Sequence, residues 1–346
     1  MIRTVETRIR VLRDGAQLTE LQYAPNAAPM IRCNDSAAIK MSLTGTFRPN
    51  DAVDWLRDEL QAVLIIDGVE HPAGIFLPAD VSEETQDGLK LLQVEAYDRS
   101  WRVQTEDAGA VTEYAAGSTY LDVVERILSS AGIALVQKTP NAAVLAAGRV
   151  WAGTADPLKI ANELLTEINY KQLWFSAEGV AMLEPYAEPS AENIQHTMDS
   201  DNVRSLVLPT IRLRTDLYSA PNVFVCVCAT PARDEILSAT SVNNSPSSPT
   251  SVIRRGRRIV KTVQVRNIAS QADLQAYADR LRNESMLRGE TIQVETALLP
   301  GFGSGDVVAL HYGDLSALCI DHSWTMDFQP GGTMTHSLER VVANIG

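Results

Sequence analysis

The chain has 346 residues, of which 45% are apolar, and a formal net charge of −13. That length and apolar content suit two or three domains with buried cores. No apolar run reaches the roughly 18 residues of a membrane span, and the opening residues MIRTVETRIRVLRDG lack the apolar segment of a secretory signal, so we expect neither. The acidic balance disfavours a general nucleic-acid-binding protein, because phosphate contact needs a basic surface.

The first part of the chain has mostly the alternating pattern of β-strands, which is clearest over residues 8–78. Two apolar runs flank Asp67-Gly68, a dipeptide typical of tight hairpin turns. A further strand at residues 89–97 leads into the sequence DRSW at residues 98–101. This part of the sequence therefore predicts a β-rich unit.

The centre of the chain combines helix and strand patterns. Ser118 is placed to cap a helix that Gly132 would end, and its apolar face is formed by Leu121, Val124, Ile127, Leu128 and Ala131. Asp156-Pro157 opens a second helix, with an apolar face formed by Ile160, Ala161, Leu164, Leu165 and Ile168. With a hairpin around residues 177–179, these elements predict a small α/β unit.

Strand patterns return after residue 200, at residues 203–213 and 222–228. The stretch 238–251 is rich in Ser, Pro and Asn and predicts a mobile loop or a linker. Ser270 and Asp273 form a capping box for a helix. The remaining predicted strands lie at residues 291–296, 317–326 and 333–342.

The sequence PGFGSGDVVAL, residues 300–310, raises the question of a phosphate-binding loop. A dinucleotide fingerprint needs G-x-G-x-x-G after a strand and before a helix. Asp306 stands where the third glycine would fall, and a β-branched run follows it. Because strand patterns lie on both sides, we predict that Gly301, Gly303 and Gly305 form the corner of a β-hairpin.

The cysteines and histidines predict no metal or cofactor site. One residue separates Cys226 from Cys228, where a zinc or redox pair needs two. We interpret the four cysteines as small buried apolar residues of a reducing compartment, namely Cys33, Cys226, Cys228 and Cys319. The five histidines match no metal motif, although the last three fall in the final predicted strands, namely His71, His196, His311, His322 and His336.

Catalytic patterns are also missing from the sequence. There is no G-x-S-x-G nucleophile elbow, and no local spacing places a base beside Ser304 in the glycine-rich stretch. Adjacent carboxylates lie in polar surroundings, where solvated charges are the usual case. We therefore predict no catalytic residues and no enzyme activity.

The basic run at residues 254–258, extended by Lys261 and Arg266, stands out in an acidic chain. It could contact phosphates or an acidic protein surface. Aromatic residues do not interleave with it, as they do in single-strand-binding proteins, and a strand pattern follows directly. Because edge strands and subunit contacts use Lys and Arg freely, we favour a protein–protein contact.

Three sequence features, taken together and in order, are similar to those of a known protein family. The first is VEAYDRSW at residues 94–101, followed by a helix, and the second is SPSSPTSV at residues 245–252, before the basic run. The third is the ending: a helix at residues 272–286, then PGFGSGDVV at 300–308 and IDHSW at 320–324. This order resembles the baseplate hub, or tail-associated (tail tip), proteins of bacteriophages and the related hub proteins of contractile injection systems.

The resemblance implies an α+β, mainly β, fold with two tail-tube-like β-barrel domains and a small α/β domain inserted between them. The first barrel would span residues 1–105, the insert residues 106–200 and the second barrel residues 201–346, with a flexible loop at 238–258. In this family the glycine-rich corner is a barrel turn. Many hub proteins continue into a lysozyme or peptidase domain, which here would belong to another chain.

The resemblance also implies partners and a location. Three copies would form a ring of six barrels that continues a sixfold tail tube. The ring would contact the tail tube, distal tail and tape-measure proteins and a central spike or tip protein, and DNA would only pass through its acidic lumen. The protein would be assembled in the cytoplasm of the bacterial host and located in the virion, with no cofactor.

Two alternatives come from other functional classes. One is a cell-wall hydrolase or endopeptidase of the tail tip, which would release fragments from peptidoglycan. The other is a carbohydrate-binding module of the tail tip, whose usual clusters of exposed aromatic residues are not evident in a chain with 6% aromatic residues.

Overall fold

The computed structural model describes residues 3–86, 88–106, 112–151, 155–202, 206–215, 220–229, 236–265, 268, 270–287 and 290–341. The strands are β1 (Val5–Arg13), β2 (Ala16–Leu21), β3 (Met30–Asn34), β4 (Met41–Phe47), β5 (Glu59–Ile66), β6 (Val69–Gln86), β7 (Leu89–Asp98), β8 (Thr112–Tyr114), β9 (Val136–Lys138), β10 (Arg149–Trp151), β11 (Trp174–Phe175), β12 (Ala181–Leu183), β13 (His196–Asp199), β14 (Val207–Thr215), β15 (Val223–Cys228), β16 (Leu237–Val242), β17 (Val260–Val265), β18 (Glu290–Ala297), β19 (Val307–Tyr312), β20 (Leu315–Asp327) and β21 (Thr333–Arg340). The helices are α1 (Ser100–Thr105), α2 (Tyr120–Ser130), α3 (Pro157–Glu167), α4 (Val252–Arg255) and α5 (Gln271–Leu287).

The N-terminal strands form an antiparallel set in the order β3-β4-β7-β6-β5-β1-β2. The predicted hairpin at Asp67-Gly68 is confirmed, since β5 and β6 pair from Ile66 and Val69 outwards. Both turn residues have positive φ, 50° for Asp67 and 81° for Gly68, which matches the right-handed twist of the strands. Among the described strands, β6 pairs only with β7 beyond Pro78, while β7 continues to pair with β4 as far as Leu92; past that point β6 and β7 extend as a two-stranded arm.

The C-terminal strands continue the same sheet. Antiparallel pairing of β3 with β20 places Cys33 opposite Trp324, and the order then runs β20-β21-β18-β14, with β19 and β13 branching from β20. In the described part of the chain this makes one sheet of 13 strands. Its two halves share one hydrophobic core, which includes Phe47, Phe76, Ile292, Trp324 and Phe328.

The fold is mainly β, as predicted, but two closed barrels are not confirmed. The hydrogen-bonded order runs open from β14 to β2, and the described strands close no ring. The reason is the pairing of β3 with β20, which joins the two halves edge to edge. Apolar side chains from both the N-terminal and the C-terminal strands are therefore buried in one shared core.

The central α/β unit has its own core, formed mainly by α2, α3 and short strands. Thr119, one residue beyond the predicted cap, accepts a hydrogen bond from the Asp122 amide at the start of α2. Asp156 caps α3 with Pro157 in its first turn, as predicted. The predicted hairpin around residues 177–179 is also confirmed, since β11 and β12 pair in antiparallel fashion.

A third unit lies between β14 and β18, where the sequence predicts barrel strands. Its three strands have the order β16-β15-β17, with β15 and β17 parallel, and α5 packs against β15 and β16. Ser270 and Asp273 form the predicted cap of α5, with the Asp273 amide 3.1 Å from Ser270 Oγ. Cys226 and Cys228 are buried in this core, as predicted.

The segment 238–258 is not a loop throughout, which corrects the sequence prediction. It contains most of β16 and all of α4. Its polar side chains are largely buried because they bond one another: Asn243 Nδ2 donates to Ser248 Oγ at 2.9 Å and to Thr250 Oγ1 at 3.2 Å. Ser, Thr and Asn favour turns when they face solvent, but here they satisfy a compact internal network.

Candidate functional site

The glycine-rich stretch does not form a β-hairpin. Strands β18 and β19, on either side of it, are not neighbours, because β21 and β20 lie between them in the sheet. The connection therefore crosses the sheet end past two strands. Residues 298–306 carry no helix, so this stretch offers no helix N-terminus to a phosphate.

Side chains from both halves of the sheet hold this connection. The Gly303 amide donates to Asp306 Oδ2 at 2.7 Å, and Trp324 Nε1 donates to the Gly303 carbonyl at 3.0 Å. Ser304 Oγ donates to Asp35 Oδ1 at 2.8 Å, so the hydroxyl contacts a carboxylate and has no histidine partner among its described bonds. A carboxylate already occupies the Gly303 amide, so this amide stabilises the connection and is not free to bind an anion.

Gly301 and Gly305 have φ of 83° and 69°, values that other residues adopt only with strain. His196 joins the connection from β13: its Nε2 lies 3.0 Å from Asp306 Oδ2, and its ring stacks on Phe302 with centroids 3.7 Å apart. The connection thus passes the end of the sheet from β18 to β19, and hydrogen bonds and ring contacts hold it in place.

A buried Thr-His-Asp chain lies next to this connection. His336 Nδ1 is 2.6 Å from Asp321 Oδ2, and His336 Nε2 is 3.2 Å from Thr296 Oγ1. Thr296 already donates its proton to the Ala297 carbonyl at 2.9 Å, so His336 must be the donor to Thr296. All three side chains are buried, which leaves no approach for a substrate and makes this arrangement structural.

The protein environment disfavours charge on Asp321 and reactivity at the thiols. Burial raises the pKa of Asp321, although the His336 hydrogen bond acts against this. Burial also raises the pKa of Cys226 to about 11 and of Cys319 to about 12, so neither is a reactive thiolate. All four cysteines are free and buried. Within the described residues, no three or more His, Cys, Asp and Glu side chains are grouped so as to hold a metal ion.

The DRSW sequence at residues 98–101 ties the central unit to the sheet. Asp98 is buried and accepts hydrogen bonds from the Met41 and Ser100 amides, each at 2.7 Å, while burial raises its pKa. Arg99 donates to both carboxylate oxygens of Glu59, at 3.1 and 2.7 Å, and to the Gly179 carbonyl at 2.8 Å. One side chain thus links β5 to the hairpin of the central unit.

The basic run at residues 254–258 lies on the surface. It spans the end of α4 and a left-handed turn at Gly256, and it leads into β17, which among the described strands pairs with β15 on one side only. Apolar side chains accompany it, with Ile253 63% and Val260 54% exposed. Arg266, predicted to extend the run, lies outside the described residues.

Two further edges at the ends of the main sheet are open among the described strands, and the sequence does not single them out. They are β2 and β14, which carry the exposed residues Leu18 and Leu213. Open edges present unpaired backbone groups that can pair with another strand. Local sequence identifies them as strands but not as edges, because edge position depends on the whole sheet. No described helix has the length and apolar character to cross a membrane.

No protein-family model and no curated protein sequence matches the chain. Solved structures do match. A tail protein from Neisseria meningitidis aligns with a TM-score of 0.65 and 12% identity, covering 97% of this chain and 96% of that chain. The 43 kDa tail protein of prophage MuSo2 from Shewanella oneidensis aligns with a TM-score of 0.65 and 11% identity, covering 97% and 98%.

A third match is a type VI secretion system component from E. coli, described as structurally similar to the bacteriophage T4 tail proteins gp27 and gp5. It aligns with a TM-score of 0.50 and 9% identity, covering 100% of this chain and 76% of that chain. At these identities the likeness concerns the fold, and it extends over nearly the whole chain. This chain therefore has the fold of bacteriophage tail proteins, as the resemblance in its sequence predicted.

Proposed function

We propose that this chain is a structural protein of a phage tail or phage-like particle and acts there as the baseplate hub. The observation that carries the proposal is the alignment over 97% of this chain and 96% of the Neisseria meningitidis tail protein, with a TM-score of 0.65. The type VI component described as similar to the T4 tail proteins gp27 and gp5 supports a tail role, and the hub position is taken from the resemblance in the sequence. The carboxylates and histidines of the glycine connection are committed to structural hydrogen bonds, which agrees with a scaffold.

The hub would work by assembly. We propose a trimer in which two parts of each chain, residues 1–105 and residues 201–346, alternate around a ring, while residues 106–200 lie beside it. The open edges β2 and β14 support this arrangement, because they stand at opposite ends of the strand order and allow head-to-tail pairing between copies. The acidic charge of −13 supports a lumen through which DNA passes without binding.

The surroundings of such a ring follow from the same proposal. Tail tube, distal tail and tape-measure proteins would contact one side, and a spike or tip protein the other. The basic run at 254–258, with exposed Ile253 and Val260 beside it, suits an acidic protein partner, since it combines charge with apolar area. The protein would be assembled in the host cytoplasm and reside in the virion.

Native mass spectrometry and negative-stain microscopy test the ring. We expect trimers and ring-shaped particles, and we expect Leu18→Lys and Leu213→Lys on the open edges to reduce them. Leu56→Lys is the matched control, because Leu56 is 99% exposed and lies outside the strands. A protein that stays monomeric at every soluble concentration, or edge variants that assemble as the wild type does, would contradict the proposed ring.

A further inference from the structure

The basic run at residues 254–258 and the strand after it carry cations that no described carboxylate neutralises. Residues 252–265 contain no Asp and no Glu. Four of the cations are exposed and form no ion pair with a described residue, namely Arg254, Arg257, Arg258 and Lys261. Four like charges so close together in the chain attract an acidic partner, and this attraction both steers association and selects the partner.

Strand β17, which follows the basic run, is open on more than its outer edge. Val260, Lys261 and Thr262 are consecutive, and all three side chains are exposed. Because successive side chains of a strand point to opposite faces, the start of β17 is covered on neither face. Since no described strand pairs with its outer edge, this part of β17 can accept a further strand.

The two-stranded arm at the end of β6 and β7 has the opposite charge. Glu83 and Glu84 lie in its β6 strand, Glu95 lies on β7 near its base, and all three are exposed. Lys90, the one cation among the described residues of the arm, lies 2.8 Å from Glu83. Glu84 and Glu95 form no ion pair with a described residue. The strand β5 pairs with β6 only as far as Phe76, so among the described strands the outer edge of β6 is open along the arm.

We propose that the arm of one copy of this chain docks on β17 of a second copy, with the open edge of β6 lying along the open edge of β17. Glu84 and Glu95 then meet cations of the basic run. Leu89, which is 52% exposed at the tip of the arm, packs against the exposed Val260. A strand of acidic and apolar character matches the edge, the charge and the apolar residues of this surface, whereas DNA would match only the charge.

Each copy carries both the arm and the basic run, so the contact joins two unlike surfaces and can repeat from copy to copy. Within one copy, no hydrogen bond or ion pair joins the described residues of the arm to those of β17, which leaves both surfaces open to a second copy. The inference rests on the proposed function in one respect, namely that a hub brings several copies together. The contact itself is separate from the proposed pairing of β2 with β14.

Carbodiimide cross-linking tests the contact, because this reagent joins carboxylates to lysine amines without a spacer. A mixture of unlabelled and isotope-labelled chains distinguishes coupling between copies from coupling within one copy. We expect mass spectrometry to find Lys261 coupled to Glu83, Glu84 or Glu95, with one labelled and one unlabelled peptide in the product. Lys159, which is exposed on α3, is the control and should not couple to the arm. If Lys261 couples to no arm carboxylate of another copy, the proposal is wrong.

Charge reversal measures how much the contact contributes to self-association. Glu84→Arg with Glu95→Arg reverses the arm. Arg257→Glu with Arg258→Glu reverses the run. Either change should weaken self-association roughly tenfold in sedimentation velocity, because two ion pairs become repulsive contacts. A chain that carries all four substitutions should recover most of the loss, since its two surfaces are complementary again.

Glu113→Arg with Glu192→Arg is the matched control, because both residues are exposed and the change in net charge equals that of the reversed arm. Thermal unfolding shows that each variant folds. Equal self-association of the wild type and both reversal variants would overturn the proposal. So would a reversed run that self-associates normally but no longer binds a DNA duplex that the wild type binds, because the run would then contact phosphates. Rings without the Lys261 cross-link contradict the arm contact alone, whereas the cross-link without rings contradicts the ring alone.

Discussion

His336 Nδ1 lies 2.6 Å from Asp321 Oδ2, and both side chains are fully buried. The other ring nitrogen donates to Thr296, whose own proton goes to a backbone carbonyl. Because burial disfavours the charged form of Asp321, we predict that this carboxyl group holds the proton it shares with Nδ1, which makes the two groups a neutral pair. This arrangement also explains why Asp321 Oδ1 has no partner, since an unpaired oxygen of a neutral carboxyl costs less than one of a carboxylate.

We predict that Asp321→Asn folds with little loss, because its amide N–H can replace the carboxyl proton. Asp321→Ala should lose about 1–3 kcal/mol, since Nδ1 is then left unpaired. Burial raises the pKa of Asp321 above its ordinary value of 3.8. The folded state therefore holds this proton more tightly than the unfolded state. The stability that results is complete below pH 3.8 and is lost as pH rises through the folded pKa.

Urea denaturation from about pH 4 to pH 8 checks the sign of this effect. The free energy of unfolding of Asp321→Asn, relative to wild type, should rise with pH. Asp80→Asn, at an exposed carboxylate of β6, is the control and should show no such trend. Parallel pH profiles for wild type and Asp321→Asn would refute the neutral pair.

The Arg99 link gives a second prediction. Arg99→Met removes the partner of Glu59, whose side chain is only 14% exposed, and the donor to Gly179. We expect a loss of about 3 kcal/mol, because a poorly solvated carboxylate is left unpaired. Adding Glu59→Leu should restore most of it, since an apolar pair replaces the ionic one.

Chemical denaturation of the wild type, of Arg99→Met and of the double variant Arg99→Met with Glu59→Leu measures these changes in the free energy of unfolding. Arg8→Met is the control: Arg8 and Glu6 are 42% and 63% exposed, and removing such a pair should change stability by about 0.5 kcal/mol or less. If Arg99→Met were no more destabilising than Arg8→Met, the contacts of Arg99 with Glu59 and Gly179 would contribute nothing to the stability of the protein.

The Ser-Pro segment supplies a third prediction. Asn243→Ala breaks the bonds to Ser248 and Thr250 and should favour local opening, with cleavage by a nonspecific protease roughly tenfold faster. Asn244→Ala, at the exposed neighbouring residue, should cleave at the wild-type rate. Mass spectrometry locates the cut, and rapid cleavage of the wild type within residues 243–251 would indicate that the network is not formed.

A fourth prediction concerns the glycine connection. Gly305→Ala and Gly313→Ala both place a side chain at positive φ, which costs about 1–2 kcal/mol each. A Cβ at Gly305 would also lie 3.2 Å from Asp35 Oδ1, whereas one at Gly313 would meet nothing within 4 Å. Gly305→Ala should therefore be the more destabilising of the two in urea denaturation. Equal losses would mean that Asp35 moves aside freely.

Local features of the fold could be predicted from the sequence, and pairings between distant segments could not. Asp156 and Ser270 were recognisable as caps because a cap contacts residues only two or three positions away. Alternation in residues 291–296 shows which side chains face a core, but it does not name the neighbouring strand. The hairpin prediction at Gly301–Gly305 was wrong for this reason, because β18 pairs with β21 and β14 and not with β19.

The same distinction between local features and contacts of distant segments applies to the candidate sites. The basic run could be found from charge alone. The open outer edges of β6 and β17 could not be identified, because the neighbours of a strand depend on the whole sheet. The composition of the Ser-Pro segment predicts mobility, and only the structure supplies the partners that bury its side chains.

The pairing of β3 with β20, which places Cys33 opposite Trp324, can form only late in the synthesis of the chain. When the ribosome has released the first hundred residues, β3 has formed one of its two ladders and must wait for β20, which is nearly the last strand to emerge. Nascent chains would meanwhile expose one unsatisfied strand to their neighbours on the polysome. Truncated products should therefore be more prone to aggregate than the finished protein, and slow closure of this distant ladder should limit the folding rate.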